Sequence, residues 1–144
     1  MKSNFKEILM KKLASLLLCV MLACAVLCGC GGKNTVLKEN DQFIVLTPTD
    51  DFAGKKLSEF MDFAKGKGTL DYKLENGMVT SVNGIDNPAD YSYCWMLYTD
   101  DAENSNAAWG TIEYSAKVYA SASLGATELV IAKGCVYIWV YTKF

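Results

Sequence analysis

Only one stretch of this chain repeats its apolar residues with the period of a helix, and short β-like runs follow it to the end. Leu57, Phe60, Met61 and Ala64 recur at spacings of three and four residues, which predicts one amphipathic helix. From Leu70 onward, short apolar runs alternate with Gly, Asn and Asp, as expected of strands and turns. The pattern favours an α+β fold in which one helix packs against a sheet of about five to seven strands.

The turn residues place the elements more closely. Asn76-Gly77 separates the runs 70–74 and 78–82, and Asn-Gly between two such runs predicts a β-hairpin. Asp50 or Asp51 is expected to cap the start of the helix, and Gly66 or Gly68 to end it. The other predicted strands are 43–46, 91–99, 111–120, 128–131 and 136–141.

The beginning of the chain has the pattern of a targeting signal. Lys11 and Lys12 precede an apolar run that is too short for a typical membrane span. The run ends in Leu27-Cys28-Gly29-Cys30, which resembles the bacterial lipobox, in which the final Cys receives lipid. We therefore predict a lipoprotein signal peptide over residues 1–29 and lipidation of Cys30. A plain secretory peptide, and a weaker lipobox ending at Cys24, are the alternatives.

Cleavage before Cys30 defines the rest of the organisation. Residues 30–41 are polar and begin with glycines, which predicts a lipidated tether. Residues 42–144 are long enough for one domain with its own core. The expected location is extracytoplasmic, with the protein held at the bacterial membrane by lipid on Cys30.

The charged residues exclude several classes of function. After cleavage the chain carries ten lysines and fifteen acidic residues, a net charge of about −5, and it has no Arg or His. Because nucleic-acid affinity depends on a basic surface, a nucleic-acid partner is not expected. Without His and without a recognisable pairing of nucleophile and base, no catalytic residue, metal site or cofactor is predicted. We expect a binding protein rather than an enzyme.

Aromatic residues on the late strands are the candidate binding surface. Val136, Ile138 and Val140 form an aliphatic row that suits the core, whereas Tyr137, Trp139 and Tyr141 share the opposite face. This second row is either a stacking surface for a ligand or partner, or a face covered by residues 100–123. The predicted strand that contains Trp95 is apolar on both faces. Trp95 therefore has two interpretations: it packs against Phe60 and Met61, or it contacts a ligand.

Two cysteines remain once Cys30 carries lipid. Cys94 and Cys135 each begin a β-like run, so a disulfide between them is one expectation in an oxidising compartment. Two buried free thiols are the alternative, since free Cys is among the most buried residue types.

Several phrases of the sequence resemble a known family. These are Gly77 to Ile85 (GMVTSVNGI), Tyr91 to Tyr98 (YSYCWMLY), Leu124-Gly125-Ala126 and Lys133-Gly134-Cys135. They are similar to the transcobalamin-like C-terminal domain, a small domain found in the cobalamin carriers transcobalamin and intrinsic factor and in bacterial surface lipoproteins. The resemblance implies a β-grasp fold, with a mixed sheet wrapped on one helix, over roughly residues 43–144.

The same resemblance suggests what the domain binds. It implies capture of a soluble small ligand, with a corrinoid as one candidate. The carriers hold their corrinoid between this domain and a helical barrel that this chain is not expected to contain, and the chain has no His to ligate cobalt. A protein-interaction or adhesion module at the cell surface is the alternative function.

The lipidation site can be tested directly. In a bacterial host, Cys30→Ser is expected to abolish incorporation of labelled fatty acid and to move the protein out of the membrane fraction. Cys24→Ser serves as the matched control and should leave both properties unchanged. Labelling that survives Cys30→Ser and is lost in Cys24→Ser would contradict the assignment.

Overall fold

A computed structural model describes residues 32–143 of the chain. The predicted signal peptide 1–29 and the predicted lipidation site Cys30 lie outside the described residues. Lys33–Phe144 forms one compact unit, and because it carries its own buried core we expect it to fold alone. No helix within residues 32–143 is long and apolar enough to cross a membrane.

The described residues form one α-helix and nine strands. The helix, α1, spans Leu57–Gly66, and a short 3-10 turn precedes it at Asp50–Phe52. The strands are β1 (Thr35–Asn40), β2 (Phe43–Thr47), β3 (Tyr72–Glu75), β4 (Met78–Val82), β5 (Ile85–Asp86), β6 (Tyr93–Thr99), β7 (Ser105–Tyr114), β8 (Lys117–Ala122) and β9 (Tyr137–Lys143).

These strands build two sheets. The larger sheet has the order β1-β2-β9-β6-β8-β7, and the smaller one has the order β3-β4-β5. One helix with two sheets agrees with the predicted α+β class in its broad sense. The mixed sheet is wrong, because every pair of named strands in the described residues is antiparallel. After α1 the chain enters the β3–β4 hairpin of the smaller sheet. The helix therefore does not connect two parallel strands of one sheet.

Helix α1 lies where the apolar period places it, but it begins differently. Leu57, Phe60, Met61 and Ala64 are all buried. The residue before the helix is Lys56, which makes no side-chain cap, so the predicted cap at Asp50 or Asp51 is wrong. Carbonyls of the later chain cap the helix instead, since the N–H groups of Leu57 and Ser58 donate to Leu129 and Ala126.

The predicted tether is wrong over Thr35–Asn40, which forms strand β1 at one edge of the large sheet. Only Val36 packs against the core, and the rest of the strand is exposed. Because an edge strand buries little side-chain surface, its sequence is polar and lacks the alternation that identifies inner strands. The folded domain therefore begins before residue 42.

Two later segments also differ from the prediction. The expected single strand 111–120 is a hairpin of β7 and β8, whose turn residues Ser115 and Ala116 have φ of 49° and 59°. Neither residue is a usual signal for that conformation, so the turn is invisible in the sequence. Residues 128–131 make only one isolated bridge, Lys56 to Val130, although Leu129 and Ile131 are buried.

Strand β9 is buried on both faces. Its residues face the opposite sides from those predicted. Tyr137 and Trp139 pack into the main core with α1, whereas Ile138 packs into a second cluster with Val45, Tyr98 and Tyr119. The alternation in the sequence had predicted the opposite, with the aliphatic row in the main core and the aromatic row on the other face. Aromatic side chains are large enough to fill the space between sheet and helix.

The second cluster exists because the large sheet curls. The ring of Tyr114 in edge strand β7 packs at an angle against that of Phe43 in β2, with centroids 5.5 Å apart. Its hydroxyl donates to Glu39 of the opposite edge strand β1 over 2.7 Å. The aliphatic row thus packs against Tyr114 and Tyr119 of the segment 100–123, whereas the main cover of the aromatic row is the core around α1.

The buried hydroxyl of Tyr137 yields a stability prediction. It accepts a hydrogen bond of 2.8 Å from the N–H of Ala132, and burial raises the pKa of Tyr137 to about 12. Because the folded state favours the neutral hydroxyl, the raised pKa adds to the free energy of unfolding. This contribution is complete below the pKa of about 10 in the unfolded chain and is lost as pH rises toward 12. Tyr137→Phe is expected to lower the free energy of unfolding by about 1–3 kcal/mol at pH 7.

The same variant should flatten the loss of stability between pH 10 and pH 12, measured by denaturant unfolding at several pH values. An unchanged pH profile in Tyr137→Phe would show that other groups carry the alkaline dependence.

Candidate functional site

A groove of about 450 Å³ lies along one edge of strand β6. Its walls are the segments 77–79, 94–97 and 121–126, together with Tyr91 and Trp139. We call it the apolar groove.

The groove is open because β8 accompanies β6 for only part of its length. The ladder between β6 and β9 covers all seven residues of β6, whereas the ladder between β6 and β8 covers only Tyr98 and Thr99. After Ala122 the chain leaves the sheet through 123–126. Residues from both faces of β6 line the cavity, including Trp95 and Met96, so it runs along the edge of the strand.

Close approach of two loops bounds one end of the groove. A Cβ built at Gly125 would lie 3.3 Å from the carbonyl oxygen of Gly77. That separation is tighter than ordinary van der Waals contact, which accounts for glycine at position 125.

The groove is lined without charge. None of its lining residues is Lys, Asp or Glu. Its rim carries the partly exposed side chains of Met78, Tyr91 and Leu124. Trp95 lies in the wall, where its indole N–H donates to the carbonyl of Ile85 over 2.8 Å and is already satisfied.

Trp139 differs from Trp95 in its hydrogen bonding. Trp139 is buried and lines the same groove, yet its Nε1 has no hydrogen-bond partner. Thr80 Oγ1 is the other buried side-chain atom without a partner among the described residues. An unsatisfied buried polar group costs about 1–3 kcal/mol, so each is a place where an added partner would be favourable.

The structure separates the predicted site residues. Trp95 belongs to the same core cluster as Phe60 and also lines the groove. Tyr137 is completely buried and Trp139 almost so, so an exposed aromatic face is wrong. Tyr141 is half-buried, and its ring lies 5.6 Å from that of Tyr93 and 5.4 Å from that of Trp95.

Of the two expectations for Cys94 and Cys135, the structure has the free thiols and not the disulfide. Cys94 pairs with Thr142 at one end of the β6–β9 ladder, and Cys135 precedes Tyr137 at the other end. These ends are five residues apart, or roughly 17 Å, whereas a disulfide needs Cα atoms within about 7 Å. Burial raises the pKa of both thiols, so neither is an activated nucleophile.

A second cavity of about 320 Å³ adjoins the groove and shares Tyr91 with it. We call it the polar cavity, and its lining includes Lys73, Glu75, Thr80 and Asp86. Lys73 Nζ lies 3.1 Å from Asp86 Oδ1. Hydrogen bonding by the Ser81 hydroxyl, and then by Lys73, holds the pKa of Asp86 below its usual value.

Most groove residues were not among the candidates predicted from the sequence. Met78, Tyr91 and Leu124 lie on three separate segments, and only the fold brings them together. Tyr91 was predicted to begin the strand 91–99, but it lies before β6 in a turn without glycine, with a φ of 52°. Within residues 32–143, no group of three Cys, Asp or Glu side chains is placed to hold a metal ion.

Comparison with protein-family models, curated proteins and solved structures finds no match for this chain. The geometry of the two cavities is therefore the basis for a functional proposal.

The free cysteines give a prediction that needs no ligand. Residues 33–144 would be purified without reductant and denatured. Two thiols per chain should then react with a colorimetric thiol reagent. In the native state the half-buried Cys135 should react before the buried Cys94, and Cys94→Ser should leave the faster phase intact. Absence of both thiols after denaturation would contradict the assignment.

Proposed function

We propose that this protein is an extracytoplasmic lipoprotein whose single domain binds a soluble small molecule in the apolar groove. The observation that carries the proposal is a cavity with uncharged, mainly apolar walls, in which Trp139 and Trp95 both take part. Its volume of about 450 Å³ falls in the range typical of small-molecule sites, about 300–1,000 Å³. Such sites combine apolar walls with a few polar groups that orient the ligand.

The sequence at the front of the chain supports a lipid-anchored binding protein. Cys30 at the end of the lipobox would attach the chain to the membrane, and β1 begins at Thr35, only a few residues later. A domain held this near the membrane surface would take its ligand from the extracytoplasmic space.

The resemblance to the transcobalamin-like C-terminal domain also supports a ligand-binding function, and it keeps a β-grasp relationship and a corrinoid ligand within the proposal. A corrinoid is larger than the groove, so only one edge of it would enter. Without His, contact would rest on apolar and hydrogen-bonding groups, and another component would have to cover the remainder.

A protein-interaction or adhesion function is the second candidate, and exposed residues on the β7–β8 hairpin favour it. Trp109 and Val118 are each 61% exposed. Trp109 lies where the register of β7 against β8 shifts, between Asn106 and Thr111. Exposed aromatic residues of this kind often anchor protein partners.

A groove-blocking variant tests the leading proposal. Ser123 is exposed in the groove wall, so Ser123→Phe should fill the groove without disturbing the core. Thr111→Phe adds the same ring at an exposed position of β7 and is the matched control.

Thermal unfolding of residues 33–144 would be measured against a set of neutral fragments and cyanocobalamin. A ligand at a hundredfold excess over its Kd stabilises the folded state by about 2.7 kcal/mol, or several degrees in Tm. We expect shifts with the unmodified protein and Thr111→Phe that disappear in Ser123→Phe. Shifts that survive Ser123→Phe and disappear in Trp109→Ala would favour the second candidate.

A further inference from the structure

The apolar groove and the polar cavity meet at one residue and have opposite chemistry. Tyr91 lines both. One side of Tyr91 is walled by residues without charge, and the other by Lys73, Glu75 and Asp86. A molecule that spans the two would contact apolar surface at one end and hydrogen-bonding groups at the other.

Tyr91 is held firmly at this junction. Its φ of 52° is unusual for a bulky residue. The turn that imposes it is fixed by a 3.0 Å hydrogen bond from Tyr91 N to Pro88 O. Asp90 adds to the turn by accepting from the backbone and hydroxyl of Ser92. The side chain of Tyr91 is nevertheless 51% exposed, so the strained backbone holds a ring that contributes little to the core. Such strain, costing about 1–3 kcal/mol, concentrates at functional sites.

The two unpaired buried atoms divide between the cavities. Trp139 lines the apolar groove and Thr80 lines the polar cavity, and Trp139 Nε1 and Thr80 Oγ1 are the unpartnered atoms. Side-chain polar atoms are rarely left unpaired when buried. Each cavity therefore has in its wall one residue with an unsatisfied polar atom, which a bound molecule would reach only if that side chain turned toward the cavity.

The charge of the polar cavity limits what can enter it. Lys73 is paired with Asp86, which leaves the Glu75 carboxylate as excess negative charge in a cavity whose lining contains no second cation. An anionic group would be repelled there, whereas hydroxyl or ammonium groups could donate to the carboxylates. The cavity therefore favours a head that donates hydrogen bonds and carries no negative charge.

We infer that the groove and the polar cavity form one site for an amphiphilic molecule. Its apolar body lies along the edge of β6, its hydrogen-bond-donating head enters the polar cavity, and Tyr91 separates the two. This inference rests on the proposed function, since it names the class of ligand for the same groove.

Three eight-carbon probes test the inference on residues 33–144. Octyl glucoside has a neutral head rich in donors, octyl sulfate has an anionic head, and 1-octanol has a minimal head. Octyl glucoside and octyl sulfate would be titrated below their micellar concentrations and 1-octanol below its solubility limit, each followed by calorimetry. We expect octyl glucoside to bind at least about tenfold more tightly than either of the others, a difference of about 1.4 kcal/mol.

Three variants locate the effect. Tyr91→Ala should reduce the affinity for octyl glucoside to that for 1-octanol. Tyr93→Ala is the matched control, because Tyr93 is similarly exposed but lines neither cavity, and it should bind as the unmodified protein does. Thr80→Val removes the unpaired hydroxyl with little change of shape. It should weaken the binding of octyl glucoside but not that of 1-octanol, and it should not lower Tm.

The outcomes separate this inference from the proposed function. Equal affinity for octyl glucoside and 1-octanol, or tighter binding of octyl sulfate, would overturn the two-part site and leave the apolar groove in place. Tight binding of octyl glucoside that Tyr91→Ala does not change would also overturn it. No binding of any probe, with no thermal shift from any fragment, would overturn both proposals.

Discussion

The central position of β9 is the constraint on which the rest of this structure depends. β9 has a strand partner on each side, β2 and β6, and a packed layer on each face. Tyr137 and Trp139 fill the space toward α1, while Ile138 fills the space enclosed by the curled sheet. Because both faces are covered, Tyr137 and Trp139 belong to the core, and the proposed binding surface lies at the edge of the neighbouring strand β6.

That surface arises where the sheet is incomplete. β6 is bonded along its whole length to β9 but only at one end to β8. The divergence of the two strands opens a groove that reaches down to Trp139 from the side of the sheet. The same residue is thus part of the core cluster and part of the groove wall.

The sequence predicted the parts of the fold that local chemistry specifies. Helix α1 followed from the spacing of its apolar residues, and the β3–β4 hairpin from Asn76-Gly77. Strand β1 was missed because edge strands bury too little to alternate, and the Ser115-Ala116 turn because neither residue usually adopts positive φ. The aromatic row was recognised, but a period of two cannot say which face of a doubly covered strand meets the helix.

The candidate site was less predictable than the fold. Trp95 and Trp139 were identified as candidates, yet Met78 and Leu124, which line the groove with them, come from distant segments. No local sequence pattern predicts the strand order that brings these segments together. Likewise the two cysteines begin adjacent strands but lie at opposite ends of one ladder, and only the register shows it.

The measurement that tests the account most directly is an NMR titration of the three tryptophan indole N–H signals with octyl glucoside. Trp95 is bonded within the fold, Trp109 is exposed, and Trp139 is buried without a partner. The account predicts that the Trp139 signal moves on binding while the Trp109 signal stays in place. Movement of Trp109 alone would contradict the groove as the binding site and place recognition on the β7–β8 hairpin.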